Sequence, residues 1–125
     1  STLLGTVALG HRNDGKWHIY ANNTFHDSAQ VITAQEWTHF ALVRNSGNTV
    51  LYSNGASVIS VATDSTNYSG TLFGVGSIYG TSSTFNFNGY IDDLRVTKGV
   101  ARYTENFDVP TAPFPIYSPT TRAQA

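Results

Sequence analysis

Apolar and polar positions along this chain change over in short stretches and not at helical spacing. Runs rich in Val, Ile, Thr, Tyr, Phe and Trp fall at residues 6–9, 17–21, 30–33, 37–44, 49–53, 56–62, 72–79 and 85–97, and each predicts a strand. Turn-forming clusters punctuate them: Arg12-Asn13-Asp14-Gly15, Ala21-Asn22-Asn23-Thr24, Asn45-Ser46-Gly47-Asn48, Ser53-Asn54-Gly55, Asp64-Ser65-Thr66-Asn67 and Gly80-Thr81-Ser82-Ser83. A turn about every ten residues is the rhythm of an antiparallel sandwich or barrel. Asn54-Gly55 is a strong two-residue hairpin signal, and Ser46-Gly47 sits between two β-rich runs in the same way, so residues 42–58 are expected to form a three-stranded meander. In residues 37–44 both parities are apolar, Trp37, Ala41 and Val43 against Phe40 and Leu42, which predicts a strand covered on both faces. Trp37, Phe40, Phe73 and Phe85 are expected in the core. Residues 85–88 alternate cleanly, but Ile91 has the opposite parity to Leu94 and Val96, which predicts a bulge at Asp92-Asp93. The one helical segment expected is a turn over residues 100–105. All four prolines, Pro110, Pro113, Pro115 and Pro119, lie in residues 108–125, an extended tail read as a strap or exit linker after a domain of residues 1–107.

Composition narrows the function classes. A chain of 125 residues supports one core, and 40% hydrophobic with 12% charged residues describes a folded domain, not a disordered or coiled-coil chain. The net charge of −1 offers no basic excess for phosphates, so nucleic acid is not an expected partner. No apolar run approaches the roughly 20 residues that span a bilayer, and membrane insertion is not expected. Without cysteine, disulfides, thiolate metal sites and cysteine nucleophiles are excluded.

Candidate chemistry is sparse. Asp92 and Asp93 are adjacent, and neighbours on a strand face opposite ways, whereas glycosidic cleavage needs two facing carboxylates about 5–10 Å apart. They are expected to accept loop hydrogen bonds or to pair Arg95 or Arg44. His11, His18, His26 and His39 give no H-x-x-x-H pair, and no G-x-S-x-G elbow occurs. Flat rings stack on pyranose faces, so Trp17, Tyr20, Phe25, Tyr68, Tyr79, Tyr90 and Tyr103 allow a sugar reading. From that set Trp17, Tyr20 and Tyr79 are taken as candidate ligand contacts, while no catalytic and no metal-ligating residue is assigned.

Three segments carry a resemblance: residues 36–44 (Glu36-Trp37-Thr38-His39-Phe40-Ala41-Leu42-Val43-Arg44), residues 50–55 (Val50-Leu51-Tyr52-Ser53-Asn54-Gly55) and residues 89–96 (Gly89-Tyr90-Ile91-Asp92-Asp93-Leu94-Arg95-Val96). In order and spacing they resemble the W-x-H-x-A-x-V-R, L-Y-x-N-G and G-x-I-D-D-x-R-[IV] signatures of the laminin G-like, concanavalin A-like lectin/glucanase superfamily. Residues 97–115 are similar to the version common in phage virion and bacterial surface proteins. The resemblance implies an all-β, antiparallel jelly-roll sandwich in a virion or extracellular, cell-surface setting. It implies a non-enzymatic structural or adhesion module, such as a fibre, decoration or tail-associated protein, whose partners are other subunits of the same assembly. Lectin-like binding of cell-surface glycans is the alternative, and hydrolysis the least favoured, because the superfamily's paired-glutamate motif has no counterpart around Glu36 or Glu105. Calcium is the ion the resemblance brings in, with Asp14, Asp27 and Asp64 in expected loops. No D-x-D-x-D run gathers them, so no cofactor is assigned. The family's usual first strand, of the F-T-I-E-F-W kind, has no match before Leu9. It is expected to precede Ser1 in a longer polypeptide, to come from another chain in a homo-oligomer or other assembly, or to be dispensed with.

Overall fold

The structure, a computed structural model, describes residues 5–33, 35–71, 73–77 and 86–115. Six strands form: β1 Ala8–His11, β2 Lys16–Ala21, β3 Thr24–Val31, β4 Phe40–Asn45, β5 Asn48–Ser53 and β6 Ala56–Val61. They pair as two antiparallel three-stranded sheets, β1-β2-β3 and β4-β5-β6, which is the all-β architecture expected.

Turn chemistry sets the meanders. In three two-residue turns, Asn22-Asn23, Ser46-Gly47 and Asn54-Gly55, both central residues have positive φ, from 49° to 83°. That is the type I′ signature, whose twist matches the strands it joins. The first of these turns starts β3 at Thr24, six residues before the expected strand at 30–33, so Asp27 belongs to a strand and not a loop. β3 bulges where the register passes from Lys16↔Val31 to His18↔Asp27. Buried Ser28 fills the gap in the ladder: its hydroxyl accepts from Trp17 N–H at 3.1 Å and donates to the Gln30 carbonyl at 2.7 Å.

Alternation then builds the core. Ile19 and Ala21 from β2 meet Leu51 from β5 and Ile59 and Val61 from β6, with Trp17, Phe40, Leu42 and Val58 packed against them. The Trp17 and Phe40 rings meet edge-to-face with centroids 3.9 Å apart. Full burial of Leu51 is worth about 1.5–3 kcal/mol from water exclusion alone. Residues 40–43 of β4 are all half-buried, in keeping with a strand covered on both faces.

Several expectations need correction. Trp37 is 72% exposed, because β4 begins only at Phe40 and the aromatic place between the sheets is taken by Trp17. Phe73 is 73% exposed, outside any strand. Residues 86–97 form no strand, and Ser77↔Asn86 is an isolated bridge. Their β-rich sequence meets no neighbouring strand among the described residues to receive its backbone donors and acceptors, and the parity change at Asp92-Asp93 marks a bend, with Asp93 at φ +52°, instead of a bulge. Residues 100–105 make no helical turn. One turn fixes three residues for one hydrogen bond, whereas the extended course lets Phe107 N–H donate to the Gly55 carbonyl at 3.0 Å and Asn106 Oδ1 accept from Ser57 N–H at 3.0 Å. Expectations resting on Phe85, on Tyr79 and on residues 116–125 lie outside the described residues.

Candidate functional site

Strand pairing places Leu42, Leu51 and Ile59 side by side on the inner face of the second sheet, which leaves Val43, Val50 and Ser60 adjacent on its outer face. Asn45 and Asn48 face each other one step further along, at the hairpin end. Residues 103–107 run across this outer face. Tyr103 and Phe107 stack at 3.6 Å and 13°, and Phe107 meets the Tyr52 ring at 5.5 Å and the His39 ring at 5.6 Å. This packing buries Tyr52 to 3% exposure. Between the sheet and Tyr103-Thr104 remains a cleft of about 270 Å³. Val43 and Val50 line it with Tyr52, Asn45, Asn48 and Ser60, so among the described residues the lining holds two amides, three kinds of hydroxyl and no carboxylate, imidazole, ammonium or guanidinium.

The segment owes its position to one glycine. Gly55 has φ +83°, and a β-carbon there would collide with the Phe107 carbonyl oxygen. His39 sits at the base of the ring cluster with a buried, unpartnered Nδ1. Burial pushes its pKa below the ordinary value, against the opposing pull of Asp93.

A second constellation centres on Asp64, whose side chain is fully buried. It accepts from the Thr49 hydroxyl at 2.5 Å, the Tyr68 hydroxyl at 2.5 Å and Thr66 N–H at 3.1 Å. Burial raises the carboxyl's pKa, but these hydrogen bonds outweigh it and hold it below the usual carboxylate value. Tyr68 moves the other way, raised by burial and by its bond to Asp64. Arg44 lies over the Tyr68 ring at 4.9 Å and donates to the carbonyls of Thr66 and Asp64, each at 2.7 Å. The Tyr68 oxygen also accepts from Asn22 N–H at 3.1 Å, so the group ties the β2–β3 turn to β4 and β5. Every donor aims inward, and its chemistry is that of a clamp.

Of the sequence-derived contacts, Trp17 and Tyr20 share no cleft among the described residues, and Tyr79 lies outside them. Trp17 is half-buried against the core and borders a narrow polar cleft of about 60 Å³ with Glu36, Gln30 and Asn54. Tyr20 is 8% exposed, its ring edge-on to Phe25 at 4.9 Å. Tyr103, by contrast, belongs to the sugar-compatible aromatic set and does border a cleft, but its position depends on the Gly55 contact, which spacing alone does not reveal.

Four further aspartates are spoken for locally. Asp14 accepts from Lys16 N–H at 3.0 Å, and Asp27 pairs Arg12 at 3.4 Å. Asp92 accepts from Asp93 N–H at 2.8 Å, while Asp93 accepts from Phe114 N–H at 3.2 Å. Arg95 covers the Phe114 ring at 3.8 Å. Thus Asp92 and Asp93 accept loop hydrogen bonds, Arg44 belongs to Asp64, and Arg95 holds the tail. Among the described residues no three His, Asp or Glu side chains gather as metal ligands.

A family model of the laminin G type, described as the concanavalin A-like lectin/glucanases superfamily, matches residues 4–105. The chain belongs to that superfamily, a class of all-β sandwich domains. No curated protein and no solved structure matches it.

Proposed function

We propose that this domain is a non-enzymatic structural or adhesion module of a virion or extracellular assembly, acting through contacts with other subunits. The observation that carries this reading is the exposed apolar run in residues 90–100: Tyr90, Ile91, Leu94, Val96 and Val100 are each 50–87% exposed. Large apolar side chains concentrated in one surface segment mark interaction sites. Of the charged residues within the run, Asp93 and Arg95 are engaged by Phe114 and Asp92 accepts from Asp93 N–H, while Lys98 is exposed. Edge strands β1, β3, β4 and β6 add backbone groups that a neighbouring chain can pair. The non-enzymatic part is supported by Asp14, Asp27, Asp64, Asp92 and Asp93, each held by a local structural bond. The setting is supported by the similarity of residues 97–115 to versions in phage virion and bacterial surface proteins.

Sedimentation velocity of the chain and of a Leu94→Asp/Val96→Asp variant tests the reading. Concentration-dependent association that the variant abolishes is expected. A monodisperse, thermally stable monomer would overturn it. Glycan binding is the second reading, favoured by the uncharged cleft beside Tyr103 and in keeping with a superfamily whose description includes lectins.

A further inference from the structure

The dipeptide Asn-Gly occurs twice, at Asn54-Gly55 and Asn88-Gly89, and the fold holds the two copies in opposite ways. We propose that Asn88-Gly89 is a site of spontaneous deamidation, which turns a neutral amide at the head of the exposed apolar run into a carboxylate and weakens association through that run. The modification stands on the local chemistry alone, whereas its effect on association rests on the assembly reading.

The reaction needs only the chain and water. The Gly89 nitrogen attacks the side-chain carbonyl carbon of Asn88, so that an N–Cγ bond closes a five-membered imide and the bond from Cγ to the amide nitrogen breaks. The Gly89 amide proton leaves with that nitrogen as ammonia. Water then opens the imide at one of its two carbonyls, giving aspartate or isoaspartate with no change in oxidation state. Glycine is the follower that permits this, because it has no β-carbon to crowd the attacking nitrogen and its backbone turns freely. Asn88 and Gly89 are both exposed, lie outside every strand, and among the described residues have no hydrogen bond that would resist the rotation. The backbone bond just before them runs from Phe87 N–H to the Gly76 carbonyl at 2.7 Å. At Asn54-Gly55 the fold blocks the same path. Asn54 Oδ1 accepts from His39 N–H at 2.9 Å, Asn54 N–H donates to the His39 carbonyl at 2.8 Å, and both residues of the turn have positive φ. Gly55 is buried against Phe107, so ring closure there would break the β5–β6 hairpin and release residues 103–107. The new charge matters at position 88 because Tyr90 follows within about 7 Å of chain. A carboxylate carried into an apolar contact loses water that the apolar surface does not replace.

The experiment ages the chain in mildly alkaline buffer, which favours loss of the Gly89 amide proton, and follows each asparagine by peptide mapping with mass spectrometry. Conversion of Asn88 to aspartate and isoaspartate is expected, with Asn54 intact while the chain is folded and converting alongside Asn88 in urea. Gly89→Ala is expected to keep Asn88 intact over the same period. Its β-carbon would come within 2.8 Å of the tip of the Phe87 ring, a half-exposed side chain that can swing aside. Asn88 unconverted in the folded chain, or Asn54 converting as fast, would overturn the site. Sedimentation velocity then compares the parent with Asn88→Asp, which is expected to associate about tenfold more weakly. Equal association of the two would overturn the effect on docking and leave the modification standing. A parent that stays monomeric would overturn the assembly reading and that effect with it, while the peptide map still decides the modification.

Discussion

Residues 8–61 and residues 86–115 are similarly rich in β-formers, yet the first stretch holds the six strands of the described residues and the second holds none. In the first, each two-residue turn returns the chain onto its predecessor, so every strand finds hydrogen-bond partners and a face to bury. In the second, Leu94, Val96 and Val100 stay 59–69% exposed, and order comes from single anchors: Phe107 on Gly55, Asn106 on Ser57, Phe114 on Asp93 and Arg95. A strand is thus a property of a pair of segments, and β propensity in one segment does not create it.

Substitutions can break or sharpen this contrast, and urea unfolding measures each. The largest effect belongs to the core of the first region, where Leu51→Ala is expected to cost about 2–5 kcal/mol. Asp64→Ala follows at about 3 kcal/mol, because Thr49 and Thr66 are buried donors that lose their acceptor. Gly55→Ala is expected to cost about 1–3 kcal/mol by combining a strained φ with the collision at Phe107, and its distinguishing mark is solvent exposure of Tyr103. Smallest is Leu94→Ala, at about 0.5 kcal/mol or less in the isolated chain. A cost near that of Leu51→Ala would erase the distinction between the two regions.

Acid should act on the first region in two windows. Burial lowers the pKa of His18, aided by Arg12, and that of His39, so the unfolded chain takes up protons before the folded one. Stability is full above about pH 6.5 and falls as pH drops from there toward the folded-state values. Asp64 is depressed in the folded state, so its contribution is complete above about pH 4 and is lost as pH falls through its folded value. His39→Phe is expected to flatten the upper window only, and Asp64→Asn the lower.

How much of this is legible in the sequence follows the same divide. β5 and β6 and the turns at Ser46-Gly47 and Asn54-Gly55 can be read within a residue, because turn chemistry and alternation act locally. The start of β3 is missed because Thr24, Phe25, His26 and Asp27 lack a clear apolar alternation, and the Asn22-Asn23 turn decides it. Trp37 and Phe73 read as core from size alone, although only their neighbours in space could have buried them. Asp64 stands out in the sequence merely as a loop acid, since its donors come from β5 and from residues 66 and 68. The cleft is invisible for the same reason: its floor and wall are brought together by contacts across fifty residues.

The clamp around Asp64 also bears on the order in which the fold assembles. Each meander closes through two-residue or short loops, so both are expected to form quickly and independently. What remains is one long-range event, the meeting of the two halves, and among the described residues, residues 64–68 are the stretch that grips Asn22 and Thr49 at once. That short crossing piece, with one carboxylate at its centre, is where the rate of reaching the native state should be set.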